Sequence, residues 1–196
     1  MDFKYRAYLL FGAPGSGKGT QGRVIGSIPG FVHLSCGEVL RSLDLRTDAG
    51  KAFWNYSSMG KLVPDDIIYD IWTHQIDNLI TLGRFKPEID HLVLDGIPRN
   101  LDQARMLENY LNVKKVFYLH CPDQQKLVER LRKRALRENR IDDASDEIIL
   151  KRLQSYETET APVLDFYGKG RVVTIDSLKY PYQVLLEILS HIHTDD

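Results

Sequence analysis

Hydrophobic residues concentrate in five short runs, separated by longer segments whose apolar positions recur with the spacing of an amphipathic helix. The runs consist mostly of aliphatic and aromatic residues and have the length of buried strands. We predict strands at 5–11, 31–34, 91–95, 113–121 and 171–176. The intervening segments predict helices at 21–28, 36–45, 49–59, 64–82, 100–111, 122–136, 145–160 and 179–190.

This alternation of strands and helices favours an α/β fold in which helices cover both faces of a parallel five-stranded sheet. No repeat, low-complexity tract or linker divides the sequence, so we expect residues 1–196 to form a single domain. Ligands of such sheets bind at the carboxyl ends of the strands. A glycine-rich segment follows the first strand and Asp95 ends the third, so we expect both at that edge.

Residues 12–20, GAPGSGKGT, are the most informative segment of the chain. Their glycines allow successive backbone N–H groups to face one concavity, and the following helix adds the positive end of its dipole. Lys18 supplies a mobile cation. The segment fits the pattern G-x-x-x-x-G-K through Gly12, Gly17 and Lys18, and it predicts a site for the phosphates of a nucleoside triphosphate.

The segment departs from the general phosphate-loop motif at one position. Ser or Thr usually follows the lysine and binds Mg²⁺, whereas here Gly19 separates Lys18 from Thr20. The alternative interpretation is a glycine-rich turn or helix cap with an incidental lysine. The preceding strand, the glycines and the following helix together favour the phosphate site.

Composition restricts the classes of partner. The formal net charge is −1, so no overall positive field favours nucleic acid or an anionic membrane. No apolar segment approaches the length of a membrane span, and MDFKYRAYLLFG does not resemble a signal peptide. The two cysteines, Cys36 and Cys121, lack metal-ligand spacing and indicate reduced thiols. We expect a cytoplasmic monomer that binds small molecules, with neither nucleic acid nor membrane as a partner.

Four further motifs occur at the ends of the predicted elements. They are LSCGEVLR at 34–41, GKLVPDDI at 60–67, LVLDGIPRNLDQA at 92–104 and RLRKRALRENRIDD at 130–143. With GAPGSGKGT, in this order and spacing, they resemble the adenylate kinases, which are P-loop nucleoside monophosphate kinases. The sequence departs from that family at Cys36, Glu38 and Ile97, where Thr, Asp and an aromatic residue are usual.

The resemblance implies transfer of the terminal phosphoryl group of Mg-ATP to AMP, which gives two molecules of ADP. It implies a small AMP-binding subdomain at about 35–63 and a short lid at about 134–143, without the long insert and structural zinc of many bacterial members. Both parts are expected to close on the substrates and exclude water. Mg²⁺ is the implied cofactor, and Asp95 would hold it through water because Mg²⁺ dehydrates reluctantly.

The resemblance also implies the residues that bind each nucleotide. For ATP they are Gly15, Ser16, Gly17, Lys18, Gly19, Thr20, Arg134 and Lys179. For AMP they are Cys36, Arg41, Lys61, Leu62, Val63, Gly96, Arg99, Gln103, Arg140 and Arg152. The implied catalytic residues are Lys18, Arg99, Arg134, Arg140 and Arg152. Arginine suits phosphoryl transfer because its planar guanidinium binds phosphate oxygens in pairs and stays charged.

Several of these assignments have a structural alternative. The resemblance places the amide of Gln103 against the adenine of AMP, yet as the fourth residue of NLDQ it also fits a capping box. Asp95 could simply cap a turn, and Asp142 and Asp143 could anchor the lid arginines or remain solvated. The other basic residues of the lid segment are interpreted as a solvated helix face, namely Arg130, Arg132, Lys133 and Arg137.

Two alternative functions stay open at this point. A UMP/CMP kinase would share most of the motifs, although pyrimidine monophosphate kinases tend to carry Asn where Gln103 stands. A non-catalytic nucleotide-binding regulator, such as a GTPase-like switch, needs no second phosphate site and so leaves Arg41 and Arg99 unexplained. The sequence also lacks the guanine-specific string Asn-Lys-x-Asp.

Overall fold

The computed structural model describes residues 4–192, so positions 1–3 and 193–196 of the predicted domain lie outside the described residues. Its strands are β1 (Tyr5–Phe11), β2 (Phe31–Ser35), β3 (His91–Asp95), β4 (Leu111–His120) and β5 (Val172–Asp176). Its α-helices are α1 (Lys18–Ile25), α2 (Cys36–Arg41), α3 (Asp48–Ser58), α4 (Asp65–Thr81), α5 (Leu101–Leu107), α6 (Gln124–Glu138), α7 (Asp146–Ser155), α8 (Val163–Tyr167) and α9 (Pro181–Ser190).

The five strands form one parallel sheet in the order β2-β3-β1-β4-β5, which confirms the predicted fold class. Successive residues of β1 belong to two different hydrophobic cores. Ala7 and Leu9 lie in one core, and Tyr8 and Leu10 lie in the other. Both faces of the central strand are therefore buried, as expected for a parallel sheet.

The order of the strands brings the two predicted phosphate-site segments together. Strand β1 lies between β3 and β4, and Leu10 pairs with Asp95 in the β1–β3 register. The glycine-rich segment that leaves β1 thus begins beside the carboxylate that ends β3. This is the carboxyl edge of the sheet, where parallel α/β folds bind their ligands.

Two glycines, Gly22 in α1 and Gly26 at its C-cap, face His33 of β2. A Cβ atom on Gly22 would fall 2.3 Å from Nε2 of His33, and one on Gly26 would fall 2.5 Å from Cβ of His33. A side chain at Gly26 would collide with the Cβ and backbone nitrogen of His33, and one at Gly22 would require the His33 ring to move. The two glycines therefore allow the second half of α1 to pack closely against β2.

Most predicted elements occur, with ends that differ by a few residues for local reasons. The predicted helix 36–45 ends at Arg41, and Thr47 begins α3 by accepting a hydrogen bond from the Gly50 N–H. The predicted helix 100–111 ends at Leu107, because Leu111 is already the first residue of β4. The predicted helix 145–160 becomes α7, a π-helical turn at Tyr156–Thr160 and then α8.

The part of the chain that the structure describes contains no helix with the length and apolar character needed to cross a bilayer.

Candidate active site

The glycine-rich segment forms a turn that leaves little room for side chains. Gly12, Gly15 and Gly17 have φ values of 142°, 85° and 100°, which residues with a Cβ rarely adopt. At Gly12 a Cβ atom would also lie 2.5 Å from the carbonyl oxygen of Leu119. Gly17 is the N-cap of α1, so the turn ends at the amino terminus of a helix, where anions bind.

The side chain of Lys18 folds back over this turn. Its Nζ donates hydrogen bonds to the carbonyl oxygens of Gly12, at 2.6 Å, and Ala13, at 3.2 Å. Burial lowers its pKa to about 8, although the nearby Asp95 opposes the shift. The arginines around it add to the lowering, so a phosphate that binds here would meet an ammonium group that lacks a full counter-ion.

The phosphate loop forms one wall of a cavity of about 680 Å³. Besides Arg23 of α1, arginine side chains from five other parts of the chain line the same cavity. They are Arg41 of α2, Arg99 before α5, Arg130, Arg134 and Arg137 of α6, Arg140 after α6, and Arg152 of α7. The five arginines that the sequence predicted as functional are therefore brought together opposite the glycine-rich turn. Such a concentration of guanidinium groups fits polyphosphate ligands.

Both the side chain and the backbone of Arg99 are held at the wall by hydrogen bonds. Its Nε donates to the carbonyl oxygen of Gly96 at 2.8 Å, and its own carbonyl accepts from Oγ1 of Thr160 at 2.7 Å. Gly96 has a φ of 82°, and a Cβ there would lie 3.3 Å from Nη2 of Arg99. The guanidinium is thus oriented before any ligand arrives, which lowers the entropy cost of binding a phosphate.

Two buried acids, Asp142 and Asp143, hold Arg134 and Arg152, so neither acid is solvated. Asp143 has a fully buried side chain and pairs with Arg134 (Oδ2 to Nη2, 2.6 Å) and also with Nη1 of Arg152. Asp142 pairs with Arg152 at 3.0 Å. Burial alone would raise the pKa of Asp142, but the guanidinium groups of Arg152 and Arg41 outweigh it and hold the pKa below its usual range.

With Arg99, Arg134 and Arg152, the side chains of Arg41 and Arg140 complete the row of arginines that we call the cationic wall of the cavity. Burial, together with the like charge of Arg140, lowers the pKa of Arg41 to about 10. Its closest acidic partner is Asp142, 3.9 Å away, so it holds only a loose ion pair. Arg140 donates from Nε to Glu138 at 2.7 Å. An anion placed between Arg41 and Arg140 would relieve their mutual repulsion.

Arg130 is a functional candidate that the sequence interpretation placed on a solvated helix face, whereas Arg137 borders the cavity but is exposed, as that interpretation expects. Arg130 is half-buried in the cavity wall and donates to the carbonyl oxygens of Gly15, at 3.4 Å, and Ser177, at 3.0 Å. Arg130, Arg134 and Arg137 follow the i, i+4, i+7 spacing of one helix face, which is the signal that could have found Arg130. The solvated-face interpretation is correct for Arg132, which is exposed and paired with Asp146.

Asp95 ends β3 at the edge of the cavity. Its side chain is buried beside the phosphate loop, and a Cβ atom on Gly19 would lie 3.4 Å from its Oδ2. Ser35 contacts the same oxygen at 3.4 Å. Gly19 therefore places no side chain beside the carboxylate, although a Cβ there would make an ordinary van der Waals contact with it. Within residues 4–192, no group of three or more His, Cys, Asp or Glu side chains could form a metal site.

Two predicted AMP-binding residues do not reach the cavity surface. Cys36 is 6% exposed, and burial raises the pKa of its thiol even though Arg99 opposes the shift. Gln103 is 1% exposed, and both ends of its amide are hydrogen-bonded to protein groups. Both side chains lie behind the wall formed by Gly96 and Arg99.

The remaining predicted residues line the cavity. Lys61, Leu62 and Val63 form its edge on the side of α4, and Lys179 lies on the side of α9. The side chain of Lys179 turns away to Glu187 (Nζ to Oε2, 2.7 Å), and this hydrogen bond raises its pKa. Its contribution to a ligand would therefore come from the backbone of this loop.

The sheet order, the phosphate loop and the arginine-lined cavity define a P-loop nucleoside monophosphate kinase. A family model described as adenylate kinase matches residues 10–172, and the chain belongs to this family. An adenylate kinase of Porphyromonas gingivalis is 39% identical over 171 residues, which cover 84% of each chain. An adenylate kinase of Parabacteroides distasonis is 37% identical, over 87% of this chain and 88% of its own.

The similarity extends to more distant bacteria. An adenylate kinase of Chlamydia muridarum is 30% identical, over 96% of this chain and 88% of its own. These comparisons confirm the predicted family and the predicted adenylate kinase activity.

Proposed function

We propose that the chain carries out this reaction with Mg-ATP on the phosphate loop and AMP on the opposite arm of the cavity. The observation that supports this best is the convergence of Lys18 and five predicted arginines on one cavity with the loop. A site for a single nucleotide would need only part of that charge. Arg41 and Arg99 come from α2 and from the segment before α5 rather than from the loop, and they fit the phosphate of a second, acceptor nucleotide.

The donor end consists of the loop residues Gly15 to Thr20, with Arg134 from the lid and the backbone around Lys179. Arg130 is added to this end because it contacts the carbonyl oxygens of Gly15 and Ser177. The backbone N–H groups of the loop would bind the phosphates of ATP.

The acceptor end consists of two sets of groups. Arg41, Arg99 and Gly96 would hold the phosphate of AMP, and the edge formed by 61–63 would hold its base. Cys36 and Gln103 support this end from behind, and contact between Gln103 and the base requires the wall to open.

The chemistry asks little of the protein beyond placement and charge. The phosphate of AMP is itself the nucleophile, so no general base is needed. The protein must align two phosphates, exclude water and balance the negative charge that spreads over the transferring group. Lys18, Arg99, Arg134, Arg140 and Arg152 supply that charge. Closure of the segments 35–63 and 134–143 would exclude water, since water would otherwise hydrolyse ATP.

Mg²⁺ is proposed as the cofactor because the acid present suits it. Mg²⁺ is usually held by substrate phosphates and one or two carboxylates, and it keeps several waters. Asp95, buried beside Gly19, fits the role of such a carboxylate. When bound, the ion would shield the phosphates of ATP and fix their geometry.

The test is to measure ADP formed from Mg-ATP with AMP, dAMP, UMP and CMP as separate acceptors. AMP should be the best acceptor, whereas preference for UMP or CMP would favour the alternative pyrimidine kinase. Nucleotide binding without transfer to any acceptor would favour a regulator. Size-exclusion chromatography would test the expected monomer, and fractionation of cells would test the expected cytoplasmic location.

Arg99→Ala should reduce turnover on the order of 100-fold or more, because it removes a fixed cation from the transferring phosphate. Arg99→Lys should also be costly, since an ammonium group cannot reproduce the paired contacts of a guanidinium. Arg105→Ala is the matched control, because Arg105 is exposed on α5 and its one partner among residues 4–192 is the exposed Asp102. Near-normal turnover of both Arg99 variants would contradict the assigned role.

A further inference from the structure

Asp65, the first residue of α4, is hydrogen-bonded to the side-chain amide of Gln103, which is proposed to contact the base of AMP. Asp65 accepts a hydrogen bond from Nε2 of Gln103 at 2.6 Å, and its two oxygens accept from Nδ2 of Asn100 at 3.1 and 2.9 Å. These lengths are those of well-formed hydrogen bonds to a charged acceptor. The loop 61–63, which leads into α4, is thereby tied to the start of α5.

The amide of Gln103 is fixed at both ends by partners of opposite character. Its Oε1 accepts from the backbone N–H of Arg99 at 2.8 Å, while its Nε2 donates to Asp65. A backbone N–H can only donate, and an ionised carboxylate can only accept. Rotation of the amide by 180° would oppose two donors at one end and two acceptors at the other. Because Gln103 is 1% exposed, water would not compensate, so a single orientation is allowed.

This orientation leaves a defined hydrogen-bonding capacity. One N–H of Nε2 and one lone pair of Oε1 in Gln103 stay free for a ligand. The 6-amino group and N1 of adenine offer a donor and an acceptor, which match them. A 6-oxo purine offers the reverse pair at O6 and N1–H and would require a flipped amide. Uracil has the pattern of the 6-oxo purine, and cytosine has that of adenine.

We propose that Asp65 is a positioning residue that determines base specificity. It prevents the Gln103 amide from rotating, and so the acceptor site favours bases with an amino group over bases with an oxo group. Asn100 supports Asp65 from the side and caps α5, since its Oδ1 accepts from the Gln103 N–H at 2.8 Å. This inference rests on the proposed function, in which Gln103 contacts the base of AMP.

The test is Asp65→Asn in the intact chain, with ADP formation measured for AMP, IMP, CMP and UMP. An asparagine amide can present either its oxygen or its nitrogen to Gln103, so the penalty at the Asp65 end of a turned Gln103 amide is removed, while the N–H of Arg99 still opposes the turn at the other end. We expect the kcat/KM of IMP and of UMP, each relative to AMP, to rise at least about tenfold. The reason is that one well-placed hydrogen bond to Gln103 contributes that much to the preference for an amino group over an oxo group on the base. The ratio of CMP to AMP and the KM for ATP should not change.

Asp66→Asn is the matched control. Asp66 is the next residue of α4, is exposed, and has no hydrogen bond or ion pair within the described residues. Asp66→Asn removes one negative charge from the amino terminus of α4, as Asp65→Asn does. The two variants therefore lose the same favourable interaction with the helix dipole. Its acceptor ratios should equal those of the unmodified chain.

The outcomes separate this inference from the proposed function. If the unmodified chain forms no ADP with AMP, the proposed function fails and this inference fails with it. If that chain is active but Asp65→Asn lowers the kcat/KM of all four acceptors equally, Asp65 is merely structural and the inference is overturned. In a Gln103→Leu background, Asp65→Asn should leave the ratios unchanged, whereas a further shift would show that Asp65 acts through another group.

Discussion

Asp143 is the residue whose loss should most clearly disturb the cationic wall. Its side chain is fully buried, and it pairs with both Arg134 and Arg152. Asp143→Asn keeps the shape of the side chain but removes its charge. Two guanidinium groups of the cavity would then lose their main counter-ion, although Asp142 would still contact Arg152 at 3.0 Å.

The expected loss of stability follows from this geometry. Removal of one partner from a buried ion pair costs about 3–5 kcal/mol. The side chains of Arg134 and Arg152 are 23% and 20% exposed, so water offsets part of the loss and the lower end applies. At roughly 2–4 °C per kcal/mol for a domain of this size, a loss of about 3 kcal/mol lowers the melting temperature by about 6–12 °C. A typical domain has ~5–15 kcal/mol of stability, so the variant should still fold.

The assay is thermal unfolding followed by circular dichroism, with and without saturating Mg-ATP. Phosphate oxygens would replace the missing carboxylate, so the difference between the variant and the unmodified chain should narrow when ATP is bound. Asp146→Asn is the control, because Asp146 forms an exposed pair with Arg132 that solvent screens. The reasoning is refuted if Asp143→Asn melts at the temperature of the unmodified chain, or if Asp146→Asn loses as much stability.

Two further predictions concern the donor end. The Lys18 pKa is about 8 in the free protein, so its side chain is mostly uncharged near pH 9 and mostly charged near pH 6.5. The phosphates of ATP would stabilise the charged form. ATP binding should therefore cause Lys18 to take up a proton near pH 9 but not near pH 6.5. Calorimetry in two buffers of different ionisation enthalpy measures this uptake, and equal heats at pH 9 would contradict it. Arg130→Ala should raise the KM for ATP about tenfold, because the variant loses a positive charge that would attract the bound ATP. It should leave the KM for AMP unchanged, and Arg132→Ala should change neither value, as steady-state assays would show.

The sheet was predictable because each strand is a local pattern. The runs at 5–11 and 91–95 coincide with β1 and β3, where every residue from Ala7 to Phe11 and from His91 to Asp95 is buried. Such runs can be recognised as buried strands from the sequence alone. The boundary between α5 and β4 was wrong, because Leu111 fits the apolar spacing of either element. Only its place in the ladder opposite Tyr5 decides that it belongs to the strand.

The candidate site was predictable where a motif is contiguous and less so where contacts cross the chain. The phosphate loop lies within nine residues, and its string alone specifies the turn. Arg130 was missed because its role depends on Gly15 and Ser177, which are 115 and 47 residues away. The burial of Gln103 was missed for the same reason, since Asp65 is 38 residues away. The residues next to a charged or amide side chain in the sequence do not indicate which distant residue it will contact in the folded chain.

The wall of the cavity explains how so many cations coexist without a ligand. Each of the main cations is held at one edge by an oxygen of the protein. Lys18 has the carbonyl of Gly12, Arg99 has that of Gly96, and Arg134 has the carboxylate of Asp143.

These contacts orient the donors in advance and lower the cost of ordering them when substrates arrive. They remain incomplete, because a guanidinium has five N–H donors and these partners use only some of them. Phosphate oxygens can therefore bind the remaining donors without breaking the existing contacts, except at Lys18. That ammonium group must leave the Gly12 carbonyl to follow a phosphate, so its change of protonation is the expected signal that the donor site has been filled.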